Sequence, residues 1–197
     1  MPPRDFSELQ EAEAEAYLEA YRAAAPERLQ WLEQKLASGG EPVALDRAPE
    51  SLVPLWRWFV AWHDAGHRNG QTPPGNPMWY EADEPGAEAL DPPTLWIVDG
   101  VGYYLAEVVT VNVPGVGWAV ATSPKRLRYE DRNKPVLIGP SGARLSPVDV
   151  AYVGAVRLVL MGGTRGSRED DSLLRVFQRW ESVLRGDVTS PGRSARI

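Results

Sequence analysis

LWIVDGVGYYLAEVVTVNV, residues 95–113, decides the fold. Its apolar side chains recur at Val98, Val101, Leu105 and Val108, intervals of three and four that mark one face of a helix. The β-branched content and the internal glycines Gly100 and Gly102 pull toward a strand, so propensity and periodicity disagree. Because the spacing is three to four rather than two, a helix is expected over 95–111. Gly115 and Gly117 then lead into a short strand, Trp118–Ala121, and Pro135 opens a second, Val136–Ile138. The expected class is α+β, mainly helical, with a small antiparallel sheet packed against helices.

Toward the N-terminus, Ser7 followed by Gln10 fits a capping box, and Leu9, Tyr17, Leu18 and Tyr21 recur near helical spacing, which predicts a helix from about Glu8 to Ala24. Pro26 suits the first turn of a second helix, carrying Leu29, Trp31, Leu32 and Leu36 until Gly39-Gly40 stops it. A third helix starts near Pro49 or Ser51, places Leu55, Phe59 and Trp62 in one stripe, and ends at Gly66. Trp56 and Trp58 lie about 200° apart on such a helix, so one of the tryptophans must sit at a boundary, under a loop or exposed as an anchor. Residues 69–93 are rich in proline, glycine and acids, with Met78-Trp79-Tyr80 at their centre, and read as a long loop inside one domain.

Downstream, Ser146-Pro147 opens a helix with Val150, Val153, Val156, Arg157 and Leu160 on one face, ended by Gly162-Gly163. Leu173, Leu174, Phe177, Trp180 and Leu184 make an amphipathic last helix that stops at Gly186. Residues 1–187 are thus read as a single domain and 188–197 as a disordered tail.

The 197 residues carry 43% hydrophobic side chains and eight tryptophans, which argues for one sizeable core. There is no cysteine, which excludes disulfides, thiolate metal sites and cysteine nucleophiles and favours a reducing, cytoplasmic setting. The acidic N-terminus has no secretory pattern, and no stretch is expected to be long and apolar enough to span a bilayer. Charge is uneven: residues 1–93 hold seven basic and seventeen acidic side chains, residues 94–197 fourteen and ten. Either both halves are simply solvated, or they offer surfaces of opposite sign to partners.

Gly102-Tyr103-Tyr104-Leu105-Ala106-Glu107, followed by the Trp118 strand, Pro135-Val136 and the Pro147-Val148-Asp149-Val150 helix, resembles small uncharacterised bacterial α+β proteins of domain-of-unknown-function type. In these a helix with a Tyr-Leu-Gly-Glu-like motif precedes a Trp-containing strand and a second strand. The resemblance covers about residues 95–160, with Ala106 standing where glycine is usual. It implies a helix packed on a small antiparallel sheet, and no reaction.

His63 and His67, the only histidines, are four apart and would share a helix face beside Asp64, the geometry of metal-binding helices. Gly66 is expected to end the helix between them and no glutamate is embedded as a base, so polar residues at a helix end are the favoured reading and no metal or other cofactor is expected. Glu107, in an apolar segment, would have a raised pKa if desolvated and could then act as a general acid; the alternative is an edge position where it bonds a backbone amide or pairs with Arg126, Arg128 or Arg157. Gly162 to Ser167 lacks the ending of a phosphate-binding loop, and Gly139-Pro140-Ser141-Gly142 is not a nucleophile elbow. The basic stretch Lys125, Arg126, Arg128, Arg132 and Lys134, with Tyr129, is interrupted by Glu130 and Asp131 in an acidic chain, which weighs against nucleic acid.

These readings favour a non-enzymatic protein–protein interaction protein of bacterial immunity or regulatory type. Its surface is placed on the acidic N-terminal half and the 69–93 loop. Trp79 and Tyr80 are the expected anchors, and Glu81, Asp83 and Glu84 would steer a basic protein partner. The alternative is a metal-dependent hydrolase using His63, Asp64 and His67.

Overall fold

The computed structural model describes residues 6–38, 43–66, 72–80, 90–122, 132–160 and 168–187. Helix α3 (Pro92–Asn112) is the axis of the fold. Asp91 caps it by accepting from the Thr94 amide at 2.9 Å, and Pro92 occupies a first-turn position where its missing N–H costs nothing. Nearly every side chain from Pro93 to Val109 is buried, which explains why a β-branched sequence is helical: burial on all sides overrides weak local preference. The two glycines set how closely its neighbours approach. A Cβ at Gly100 would lie 3.0 Å from Leu32 Cβ, and one at Gly102 only 2.9 Å from the backbone Cα of Val148.

Those neighbours are α1 (Glu11–Ala37) and α4 (Pro147–Leu160). The structure corrects the expectation of two N-terminal helices: α1 runs unbroken through Pro26. Tyr21, Ala25, Arg28, Leu32 and Leu36 step along one inward stripe across the proline, so packing holds the helix in register on both sides. Pro26 itself lies on the exposed face, where a freed carbonyl can reach water. The capping box is also displaced, with Glu13 Oε2 accepting from the Gln10 amide at 2.8 Å.

A 3₁₀ turn (Pro49–Ser51) leads into α2 (Leu52–Asp64), which packs against α5 (Ser172–Arg185). Trp56 and Trp58 are both buried and Trp62 is the boundary residue, stacked on Phe59 and Trp58. Trp56 sits over Gly154 of α4, where a Cβ would meet its ring at 2.8 Å. Gly186, at φ 88°, ends α5 in the left-handed conformation that glycine adopts without strain.

The sheet has the antiparallel order β1 (Gly117–Val120), β2 (Pro135–Ile138), β3 (Arg144–Leu145), with Trp118 opposite Leu137 and Leu137 opposite Leu145. The two-residue β3 was not expected from the sequence. The sheet leans chiefly on α1 rather than on α3: Trp118 meets the Tyr21 ring edge-on at 5.6 Å, and Tyr103 of α3 stacks on the other side of Tyr21 at 4.5 Å. Asn133 donates to the carbonyls of Phe6 and Leu9, tying the start of the chain to the sheet.

By length and hydropathy α3 would suffice to cross a membrane, so the expectation that no stretch reaches that limit is corrected. In the fold, 83% of that window is buried inside the protein, as befits a core helix. The expected disordered tail, 188–197, lies outside the described residues.

Candidate functional site

The expected anchors are not at the surface. Trp79 is 1% exposed and Tyr80 is buried beside it, so neither ring is available to a partner, and that expectation is corrected. The physical reason is that the 72–80 segment docks on the helices and is not an open loop. The Trp79 indole meets Tyr152 of α4 edge-on at 5.6 Å, while its Nε1–H donates to Asp99 Oδ1 of α3 at 2.8 Å. A reciprocal hook runs the other way, from Trp96 Nε1–H to the Gly75 carbonyl at 3.3 Å. Glu81, Asp83 and Glu84 lie outside the described residues.

Asp99 is the residue that sequence reasoning missed. It is 1% exposed, in the most apolar helix of the chain, and its Oδ2 lies 3.3 Å from Arg28 Nε of α1 without a hydrogen bond. Arg28 is meanwhile held over the Trp96 ring, 4.1 Å from its centroid. Burial pushes the Asp99 carboxyl up to about 7, against the Trp79 hydrogen bond and the Arg28 charge, which both favour its anion. Around it stand phenols. Tyr103 donates to the Tyr21 carbonyl at 2.7 Å, and burial raises the pKa of both Tyr21 and Tyr103. The signal lies in the sequence: a lone carboxylate inside LWIVDGVGYY is flanked by apolar residues and open to the same desolvation as Glu107.

Next to this cluster a narrow cleft of about 260 Å³ is lined by Phe6, Tyr17, Tyr21, Trp79, Lys134 and Asp149 among others. It has room for about one water molecule, which is too little for a metabolite-sized ligand, whose pockets run to roughly 300–1,000 Å³. Lys134 Nζ is bound to Asp149 Oδ2 at 2.9 Å, so this member of the basic stretch serves the fold. Lys125, Arg126, Arg128 and Tyr129 lie outside the described residues.

Among the described residues, Asp64 and Glu107 do not come together as a hydrolase would need: they pair with different arginines on different elements. Asp64, at the end of α2, takes a two-pronged hydrogen bond from Arg168 at 2.9 and 3.2 Å, which holds its carboxyl below the usual range. Arg57 and Asp170 pair alongside at 2.7 Å, so these contacts fasten α2 to the start of α5. His67 lies outside the described residues; among those described, no three His, Asp or Glu side chains gather where they could hold a metal ion.

Glu107 is on another face, half-exposed, and pairs with Arg47 at 2.8 Å, a partner not expected from sequence; Arg126 and Arg128 lie outside the described residues. Arg47 has a left-handed backbone, φ 66°, unusual for a side chain with a Cβ. It is fixed at three points: its amide donates to Tyr104 Oη at 3.0 Å, its carbonyl accepts from Asn112 at 2.8 Å, and its guanidinium holds Glu107. Tyr104 Oη also bonds Ser51 Oγ at 2.5 Å.

The N-terminal part of α1 presents charge at the surface. Glu11, Glu15 and Glu19 project from α1 at intervals of four, all exposed, and among the described residues only Glu19 forms an ion pair, with Arg22. The chain matches no family model, and no curated protein or solved structure proves similar to it.

Proposed function

We propose that this is a non-catalytic interaction protein of immunity or regulatory type, which recognises a basic protein partner through the acidic surface of its N-terminal half. The observation that carries the reading is the exposed stripe Glu11, Glu15 and Glu19 on α1. Like charges four residues apart weaken a helix by a few tenths of a kcal/mol per pair; the helix dipole offsets this at Glu11, in the first turn of α1, and fades before Glu15 and Glu19. Glu81, Asp83 and Glu84 belong to the same acidic half of the sequence and are proposed as further steering charges; Trp79 and Tyr80, being buried, are not part of the surface.

The candidate catalytic groups support the same reading. Asp64 and Glu107 are each engaged in a separate ion pair on a different element, which leaves neither poised beside a second group for proton transfer. Such a surface gives its partner a fast, salt-sensitive approach more than a large share of the affinity.

The test is binding of the purified chain to the proteins encoded beside it, followed by calorimetry at low and high ionic strength. A complex that weakens with salt, and weakens further in Glu11→Gln/Glu15→Gln/Glu19→Gln, is expected. A complex indifferent to both salt and the triple substitution would sink the proposal.

A further inference from the structure

Asp99 is buried where three parts of the chain meet: α1 through Arg28, α3 through its own backbone, and the 72–80 segment through the Trp79 indole. A buried carboxylate is tolerated when all its lone pairs are satisfied by good geometry. Here only Oδ1 is satisfied, by one neutral indole donor. Oδ2 faces a guanidinium that is not hydrogen-bonded to it and is itself shared with the face of Trp96. Other groups around Asp99 give its anion little help. Tyr103 spends its proton on the Tyr21 carbonyl, and Tyr21 Oη has no hydrogen-bond partner among the described residues. Asp149 of α4, which also bears on Tyr21, is paired with Lys134. The charge is therefore poorly compensated in the docked arrangement, whereas lifting Trp79 away would admit water to it.

We propose that Asp99 is a proton-operated latch: its neutral form keeps the 72–80 segment docked through Trp79, and its ionised form favours release of that segment from α3 and α4.

The sign follows from where the proton is held. Burial raises the docked carboxyl to about 7, and a solvated aspartate titrates near 4. The docked form binds a proton that the released form gives up. Docking is then strongest below pH ~4, weakens by about tenfold per unit as pH rises from ~4 to ~7, and is constant above that. Release would expose the Trp79 and Tyr80 rings, which the docked form buries.

The test is hydrogen exchange of the Trp79 indole N–H and of the Tyr80 amide, which bonds the Pro77 carbonyl, followed by NMR at about pH 5 and pH 8 and corrected for intrinsic exchange. The Gly186 amide, bonded within the end of α5, is the internal control. Protection at Trp79 and Tyr80 is expected to fall by more than tenfold while that of Gly186 holds. Equal protection at both pH values, or an equal fall at all three sites, overturns the latch. In folded Asp99→Asn the fall should vanish, and an undiminished fall there also overturns it.

Discussion

Replacing Trp79 with alanine removes an indole that is 1% exposed and packed against Tyr80 and Tyr152, with ring centroids 5.7 and 5.6 Å away. Two costs add. Loss of a buried tryptophan side chain destabilises by roughly 3–5 kcal/mol, the spread reflecting how far the site collapses. The Asp99 Oδ1 left without its 2.8 Å donor adds roughly 1–3 kcal/mol. Against a total of about 5–15 kcal/mol for a domain, Trp79→Ala should remove on the order of half the stability. Trp79→Phe keeps a six-membered ring in the site but deletes the donor and part of the buried indole, so its loss should lie between the hydrogen-bond cost of about 1–3 kcal/mol and that of Trp79→Ala. Urea unfolding followed by circular dichroism measures both, with an unchanged slope required for the comparison. A loss under about 1 kcal/mol for Trp79→Ala would refute the burial and reinstate an exposed anchor.

Pro26→Ala should stabilise the chain by about 1–3 kcal/mol, because it restores an amide donor inside α1 without touching the buried stripe; a lower melting temperature would show that the proline is needed where it stands. Gly102→Ala should destabilise by about 1–3 kcal/mol in the same urea assay, since the new Cβ meets the Val148 backbone at 2.9 Å. Alanine ordinarily improves a helix over glycine by about 1 kcal/mol, so a gain in stability would contradict the close approach of α3 and α4. Arg47→Gly should cost less than Arg47→Ala, because both lose the half-exposed pair with Glu107 while only alanine retains the left-handed strain at φ 66°. The reverse order in thermal melts would argue against that backbone.

Much of the fold was legible because long, periodic segments announce themselves. Helix α3 could be read from Val98, Val101, Leu105 and Val108, and α5 from its amphipathic pattern and Gly186. The proline rule failed at Pro26 because it is local, whereas the stripe that keeps α1 whole packs against α3, far away in sequence: Tyr21 and Tyr103 are 82 residues apart. Strand β3 has two residues and no period to detect. Within the 69–93 stretch, the exposure expected of Trp79 and Tyr80 misled in a similar way. Its composition reads as loop, yet the burial of Trp79 depends on Asp99 and Tyr152, and nothing in the local sequence names them. Asp99 was the exception: a charge in a run of apolar residues is visible without any structure, and only its partners needed the fold.

Direct titration of the Asp99 side-chain carboxyl carbon by ¹³C NMR, assigned through its bonded β-protons, probes the buried junction of α1, α3 and the 72–80 segment. A midpoint near 7 is the result the structure predicts. A midpoint in the ordinary aspartate range, near 4, would mean a carboxylate that is solvated or fully compensated, and would contradict both the buried junction and the latch built on it.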